Sequence, residues 1–309
     1  MYEIAEYVLF YLMIDGIGDR EDLMSIDVKE ESLQIEKLRA KGLSEVLVEF
    51  FELVDKDLRS FEGYANGVGE YGIRMQHFGP VFLAYTKNIN TESVKAVYSL
   101  MALRLPRILR RMGMNGRFVR GALVKGFGWN IEEVGCRTLY GPVMDKAWHY
   151  LTEQAYSLRI IIEPEIFKVV SDRGSYGEGS GGDWLPRYAC NDYDGQGIFH
   201  YLAYDPTCPA VLHDTVDVVV KEMKSTLRAI QQVTTNLASV YYKHDNSKSI
   251  RMSLALRDYV SMSICKWTGQ KEIDLLREID SDIDKMYRKH KARIVVESSQ
   301  GGNADIKRC

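Results

Sequence analysis

FVRGALVKGFGWN at residues 118–130, LYGPVMDKAWHYLTEQA at 139–155 and YSLRIIIEP at 156–164 decide how this chain is read. The first block predicts a strand over 118–126, rich in residues that suit a pleated surface. The second predicts a helix over 142–156, led by Gly141 and carrying Pro142 in its first turn, where a missing N–H costs nothing. The third predicts a strand over 158–163.

Upstream, Tyr7 to Ile14 (YVLFYLMI) is continuously apolar and aromatic, the pattern of a central strand covered on both faces. It stops at DGIGD, residues 15–19. Residues 28–61 place Leu33, Leu38, Leu43, Leu47, Phe51, Val54 and Leu58 at helical spacing among charges, with Gly42 as a break. After a glycine-rich connection, GIRMQH and VFLAYT predict a hairpin turning at Gly79-Pro80. Thr91 is a cap for the next helix, whose stripe is Val94, Val97, Tyr98, Met101, Leu105, Ile108 and Leu109; Pro106 kinks it and Gly113 ends it. The sum is an α+β, ferredoxin-like palm over residues 1–170, with helices on one face of its sheet.

Residues 171–309 differ in character. DRGSYGEGSGGDW reads as a mobile loop, GIFHYLAY as a short strand, and 210–242, 249–267 and 270–293 as a mainly helical extension. Its aromatics, Tyr241, Tyr242, Tyr259, Trp267 and Tyr287, suit helix packing or, alternatively, a base-stacking platform.

Charge and composition narrow the class. Forty Lys and Arg against 43 Asp and Glu leave a net charge of −3, so no global field recruits nucleic acid or an anionic membrane. Five cysteines without CxxC spacing read as reduced thiols, and YVLFYLMI is too short for a membrane span. The expectation is a cytoplasmic protein.

The blocks from 118 to 163, with Asp15-Gly16-Ile17-Gly18 after the first strand, resemble the class III nucleotidyl cyclase catalytic domain. The likeness is to its divergent bacterial branch, which includes the pyrimidine cyclases of Pycsar anti-phage systems. It covers residues 7–165. RGALVKG resembles the strand opening RGG/RGA of that branch, and Gly141, Pro142, Ala147, Leu151 and Ala155 resemble its next helix.

The resemblance implies conversion of a nucleoside triphosphate to a 3′,5′-cyclic nucleotide and pyrophosphate, with Mg²⁺ or Mn²⁺, in a head-to-tail homodimer. Asp15 would hold metal, because strand-end carboxylates hold the ions of such an in-line displacement. Backbone amides at Gly16, Ile17, Gly18 and Asp19 would cradle phosphate. Taken by itself, DGIGD is an ordinary strand-to-helix turn in which aspartate caps the helix, and its place after a buried strand is what brings the metal reading level with that one.

Arg120 would pair with phosphate or a base edge; bound to a local carboxylate it is structural. Asp145 and His149 occupy the positions of the asparagine and arginine that better-known members use on ribose and transition state. One turn apart, they form either an acid/base pair or an exposed i,i+4 pair.

One position departs from the pattern. The second metal ligand of the family sits in the hairpin turn, where this chain has Gly79-Pro80. Two readings follow, an active cyclase or a pseudo-cyclase that senses a nucleotide or holds a partner protein.

Overall fold

The computed structural model describes residues 3–15, 72–78, 81–88, 90–114, 118–133, 136–154, 159–176, 184–192, 194–202, 215–240 and 247–282. The expected helix over 28–61, the connection after it, the centre of the glycine-rich loop and the chain past 282 lie outside them. The strands are β1 (Glu3–Asp15), β2 (Arg74–Phe78), β3 (Val81–Lys87), β4 (Phe118–Glu133), β5 (Cys136–Tyr140), β6 (Ile160–Ile162), β7 (Ala189–Asn191) and β8 (Gly197–Phe199). The helices are α1 (Thr91–Met114), α2 (Pro142–His149), α3 (Pro164–Ser171), α4 (Val216–Val240) and α5 (Ser247–Thr268). Residues 272–282 are helical as well.

One eight-stranded sheet runs β2-β3-β1-β4-β6-β8-β7, with β5 folded back onto β4. Its first four strands, in the order β2-β3-β1-β4, are antiparallel neighbours, the ferredoxin-like arrangement. β6 then joins parallel to β4, with Gly121 level with Ile160. The chain is therefore an α+β protein, and helices dominate its C-terminal part.

β1 is apolar without interruption because both of its faces are covered. Val8, Phe10 and Leu12 enter one core with Val97, Met101 and Leu105 of α1 and Ile166 of α3. The same core continues through Met223 and Leu227 of α4 and Val260 and Ile264 of α5. Tyr7, Leu9 and Tyr11 enter a second core, under Val143 and Ala147 of α2 and Leu151 just past it. Helices on one face, as expected from the sequence, is thus incorrect: α2 covers the opposite face. Burying each such side chain contributes roughly 1.5–3 kcal/mol, so the two layers jointly hold β1 in register.

Local chemistry explains most element ends and some surprises. α1 is capped by Asn90 rather than Thr91: Asn90 Oδ1 accepts the amides of Glu92 at 3.0 Å and Ser93 at 3.2 Å. Pro106 lies within α1, which continues to Met114. Buried Arg110 of α1 donates Nε to Glu222 of α4 at 2.9 Å, and a Cβ on Gly113 would stand 2.7 Å from Thr226 Cγ2. A small residue there lets α1 and α4 meet.

β4 runs to Glu133, past the expected end at 126, because β5 pairs with its second half. α2 gives way at Tyr150 to a π-helical turn, Tyr150–Gln154, and the expected helix end at 156 lies outside the described residues. Gly141 opens α2 at φ 106°, ψ −168°, a conformation essentially reserved for glycine. A Cβ there would lie 2.8 Å from Trp129 Cζ3. Gly141→Ala is expected to destabilise the protein by about 2 kcal/mol, from backbone strain plus displacement of the Trp129 ring. Urea unfolding checks this, and an unchanged midpoint would refute it.

Candidate functional site

Three chain segments converge at one edge of the sheet. Asp15, the last residue of β1, is level with Phe118, the first of β4, and Met13 is flanked by Arg120 on one side and Val81 on the other. β2 and β3 pair with Phe78 opposite Val81, and Val81 is opposite Met13, so the facing ends of β2 and β3 lie beside the end of β1. The end of β1, the start of RGALVKG and the facing ends of β2 and β3 therefore share an edge.

Arg120 is half-buried at this edge, on the face that α2 covers. Its charge reaches Tyr11: burial pushes the Tyr11 hydroxyl up, and the guanidinium partly offsets that. Gly121 follows because β1 passes so close that a Cβ would meet Tyr11 O at 2.6 Å. The glycine of this motif is thus needed for strand pairing whatever the chemistry.

Gly16, Ile17, Gly18, Asp19, Gly79 and Pro80 lie outside the described residues, as does the Asp15 side chain. Asp145 and His149 are both exposed on α2. No hydrogen bond or ion pair between them occurs among the described residues; His149 instead sets its ring edge-on to Tyr150, with centroids 6.5 Å apart.

A divalent ion requires oxygen donors. Asp15 at a strand end supplies one carboxylate, whereas the turn sequence Phe78-Gly79-Pro80-Val81 supplies none. Among the described residues, no three His, Cys, Asp or Glu side chains cluster as a metal site.

Sequence reasoning missed a second polar centre. Glu163, buried at the end of β6, accepts the Lys125 amide at 2.8 Å and the Lys146 ammonium. Lys146 also donates to Lys125 O at 3.0 Å, while the Lys125 ammonium pairs with Glu165 at 2.5 Å. That Lys125 contact holds the Glu165 carboxyl below the usual carboxylate range. One carboxylate thereby joins β4, α2, β6 and α3. The only local signal was an acidic residue closing an isoleucine run before proline.

Cys190 and Cys265 are free thiols. No helix among the described residues is long and apolar enough to cross a membrane.

No family model and no curated protein matches the chain. Solved structures similar to it include the adenylyl cyclase CyaB from P. aeruginosa, at 14% identity and a TM-score of 0.35, covering 56% of this chain and 83% of that one. A bacterial light-regulated adenylyl cyclase gives 10% identity and a TM-score of 0.37, covering 84% of this chain. This chain spans 58% of that protein's length. The guanylyl cyclase Cya2 gives 11% identity and a TM-score of 0.30, covering 55% of this chain and 81% of that one.

Proposed function

We propose that this chain is a nucleotide cyclase, converting a nucleoside triphosphate to a 3′,5′-cyclic nucleotide and pyrophosphate. The observation that carries the reading is the shared edge: Asp15 level with Phe118, and Met13 between Arg120 and Val81. It supports a site in which a strand-end carboxylate, a guanidinium and a loop of backbone amides surround a polyphosphate.

In the reaction the ribose 3′-oxygen forms a bond to the α-phosphorus as the bond to the α,β-bridging oxygen breaks, pyrophosphate departs with that oxygen, and the hydroxyl proton passes to the Asp145–His149 pair. Mg²⁺ or Mn²⁺ held by Asp15 would supply charge neutralisation at the phosphates. Arg120 orients the triphosphate by charge-assisted hydrogen bonds. Amides at Gly16, Ile17, Gly18 and Asp19 hold its terminal oxygens. Asp145 and His149, exposed on α2, act as the acid/base pair of a site completed by a second copy of the chain.

A homodimer is in keeping with an exposed aromatic patch. Ile4 is opposite Trp129, and Trp129 is opposite Tyr140, with Phe127 two residues away on the same face. All four are exposed, and contiguous exposed apolar surface marks an interaction site. Within this reading the base is a pyrimidine and the product a signal in anti-phage defence, a step supported by the sequence resemblance alone.

Pro80 favours a second reading, in which the same edge binds a nucleotide without turning it over. Incubation with each of the four ribonucleoside triphosphates and Mn²⁺, followed by mass spectrometry, separates the two. A cyclic product from any of them supports the cyclase. Nucleotide binding with no product from all four supports the sensor.

A further inference from the structure

At the far side of the sheet, a cavity of about 930 Å³ opens between the β7–β8 hairpin and α5. Its wall includes Phe199, His200, Tyr201, Ala255, Tyr259 and Met262. β8 lies three strands from β1, about 14 Å at ordinary strand spacing, so the cavity is distinct from the Asp15 edge. Its volume falls in the range of small-molecule sites, and an apolar wall with a few fixed polar groups is their usual make-up.

Two features define what fits. The first is charge balance. Arg159 is already bound to Asp192 and, at 2.5 Å, to Asp194, while Asp258 pairs with Arg257 at 2.9 Å. Lys266 is exposed. Cations and carboxylates on the wall offset one another, which disfavours a polyphosphate and favours a neutral ligand.

The second is a fixed donor. Tyr259 Oη lies 2.5 Å from His200 Nδ1. A phenol is a far stronger proton donor than a neutral imidazole N–H, so Tyr259 donates and the ring Nδ1 accepts. His200 therefore carries its proton on Nε2. Burial pulls the imidazole down to about 4, which keeps the ring neutral at physiological pH. Tyr201 and Tyr259, tilted with centroids 5.6 Å apart, supply aromatic surface beside it.

We propose that this cavity is a second small-molecule site, taking a neutral, planar aromatic ligand whose carbonyl oxygen accepts the His200 Nε2–H. Buried polar groups set the orientation of such a ligand, and stacking on the tyrosines supplies most of its contact.

Prodan, a neutral naphthyl ketone whose emission shifts to the blue in apolar surroundings, tests this on the full chain. The expected result is a saturable blue shift with one site per chain. Ala255→Trp, which fills the cavity, weakens binding at least tenfold, and circular dichroism reports whether it has folded. Met262→Trp, at an exposed lining position, is the second filling variant and repeats the test should the first fail to fold. His200→Phe weakens prodan about fivefold but leaves displacement by 2-ethylnaphthalene, which lacks the carbonyl, within twofold. Absence of a saturable shift, or a shift unaltered in folded filling variants, overturns the site. Equal prodan binding by His200→Phe overturns the donor assignment.

Discussion

Asp15→Asn is expected to lower the rate of cyclic nucleotide formation at least about a hundredfold, with little effect on the unfolding midpoint. The exchange keeps size and shape at the end of β1 but removes the one carboxylate that the strand delivers to the edge beside Phe118 and the hairpin turn. A divalent ion stabilises transferring phosphate by several kcal/mol, and each 1.36 kcal/mol is about a factor of ten in rate. Asparagine retains a carbonyl oxygen without the charge, so residual turnover rather than none is the expected outcome. Initial rates under saturating triphosphate and Mn²⁺ check it. Equal rates in the two proteins would remove Asp15 from the mechanism.

Glu163→Ala is expected to cost about 3 kcal/mol of folding stability. The substitution leaves the Lys125 amide without its acceptor and the Lys146 ammonium with only Lys125 O. Hydrogen bonds to charged groups contribute roughly 1.5–3 kcal/mol each. Breaking a buried ion pair costs about 3–5 kcal/mol, and the partial exposure of Lys146 reduces that figure. Glu163→Gln, which can still accept from Lys125, should lose about half as much. Urea unfolding of the three proteins reads both values, and an alanine variant as stable as the original would show that Glu163 ties nothing together.

Much of the sheet was legible because its signals are local. The unbroken apolar run of Tyr7 to Ile14 requires cover on both faces, and β1 has it. Gly79-Pro80 between two apolar runs predicts a hairpin, and Phe78 stands opposite Val81. Gly141-Pro142 marks a helix start by its own backbone preferences, and α2 begins there.

The failures have equally physical causes. Asn90 and Thr91 are adjacent residues that both cap well, and propensity alone does not choose between them. Periodicity identifies the buried face of α2 but says nothing of which side of the sheet that face meets. The extension of β4 to Glu133 depends on a partner strand, β5, that forms only when the chain turns back.

The strand ends around the candidate site were legible for the same reason. The ends of β1, β2 and β3 could be located from turn chemistry, and register brings them together. Glu163 binds groups 17 and 38 residues away, and His200 meets Tyr259 across 59 residues. No local pattern announces such pairs. Asp145 and His149 share a helix face as their spacing predicts, yet both are exposed, so their proposed role depends on a second chain.

Under the proposed function, nucleotide and metal ion bind at the edge where β1 ends, β4 begins and β2 and β3 face each other. Mn²⁺ titration followed by electron paramagnetic resonance, with a triphosphate analogue carrying a methylene between the α and β phosphorus atoms, measures this without turnover. The prediction is saturable Mn²⁺ binding that requires the analogue and weakens at least tenfold in Asp15→Asn. Equal Mn²⁺ affinity in the two proteins would contradict it.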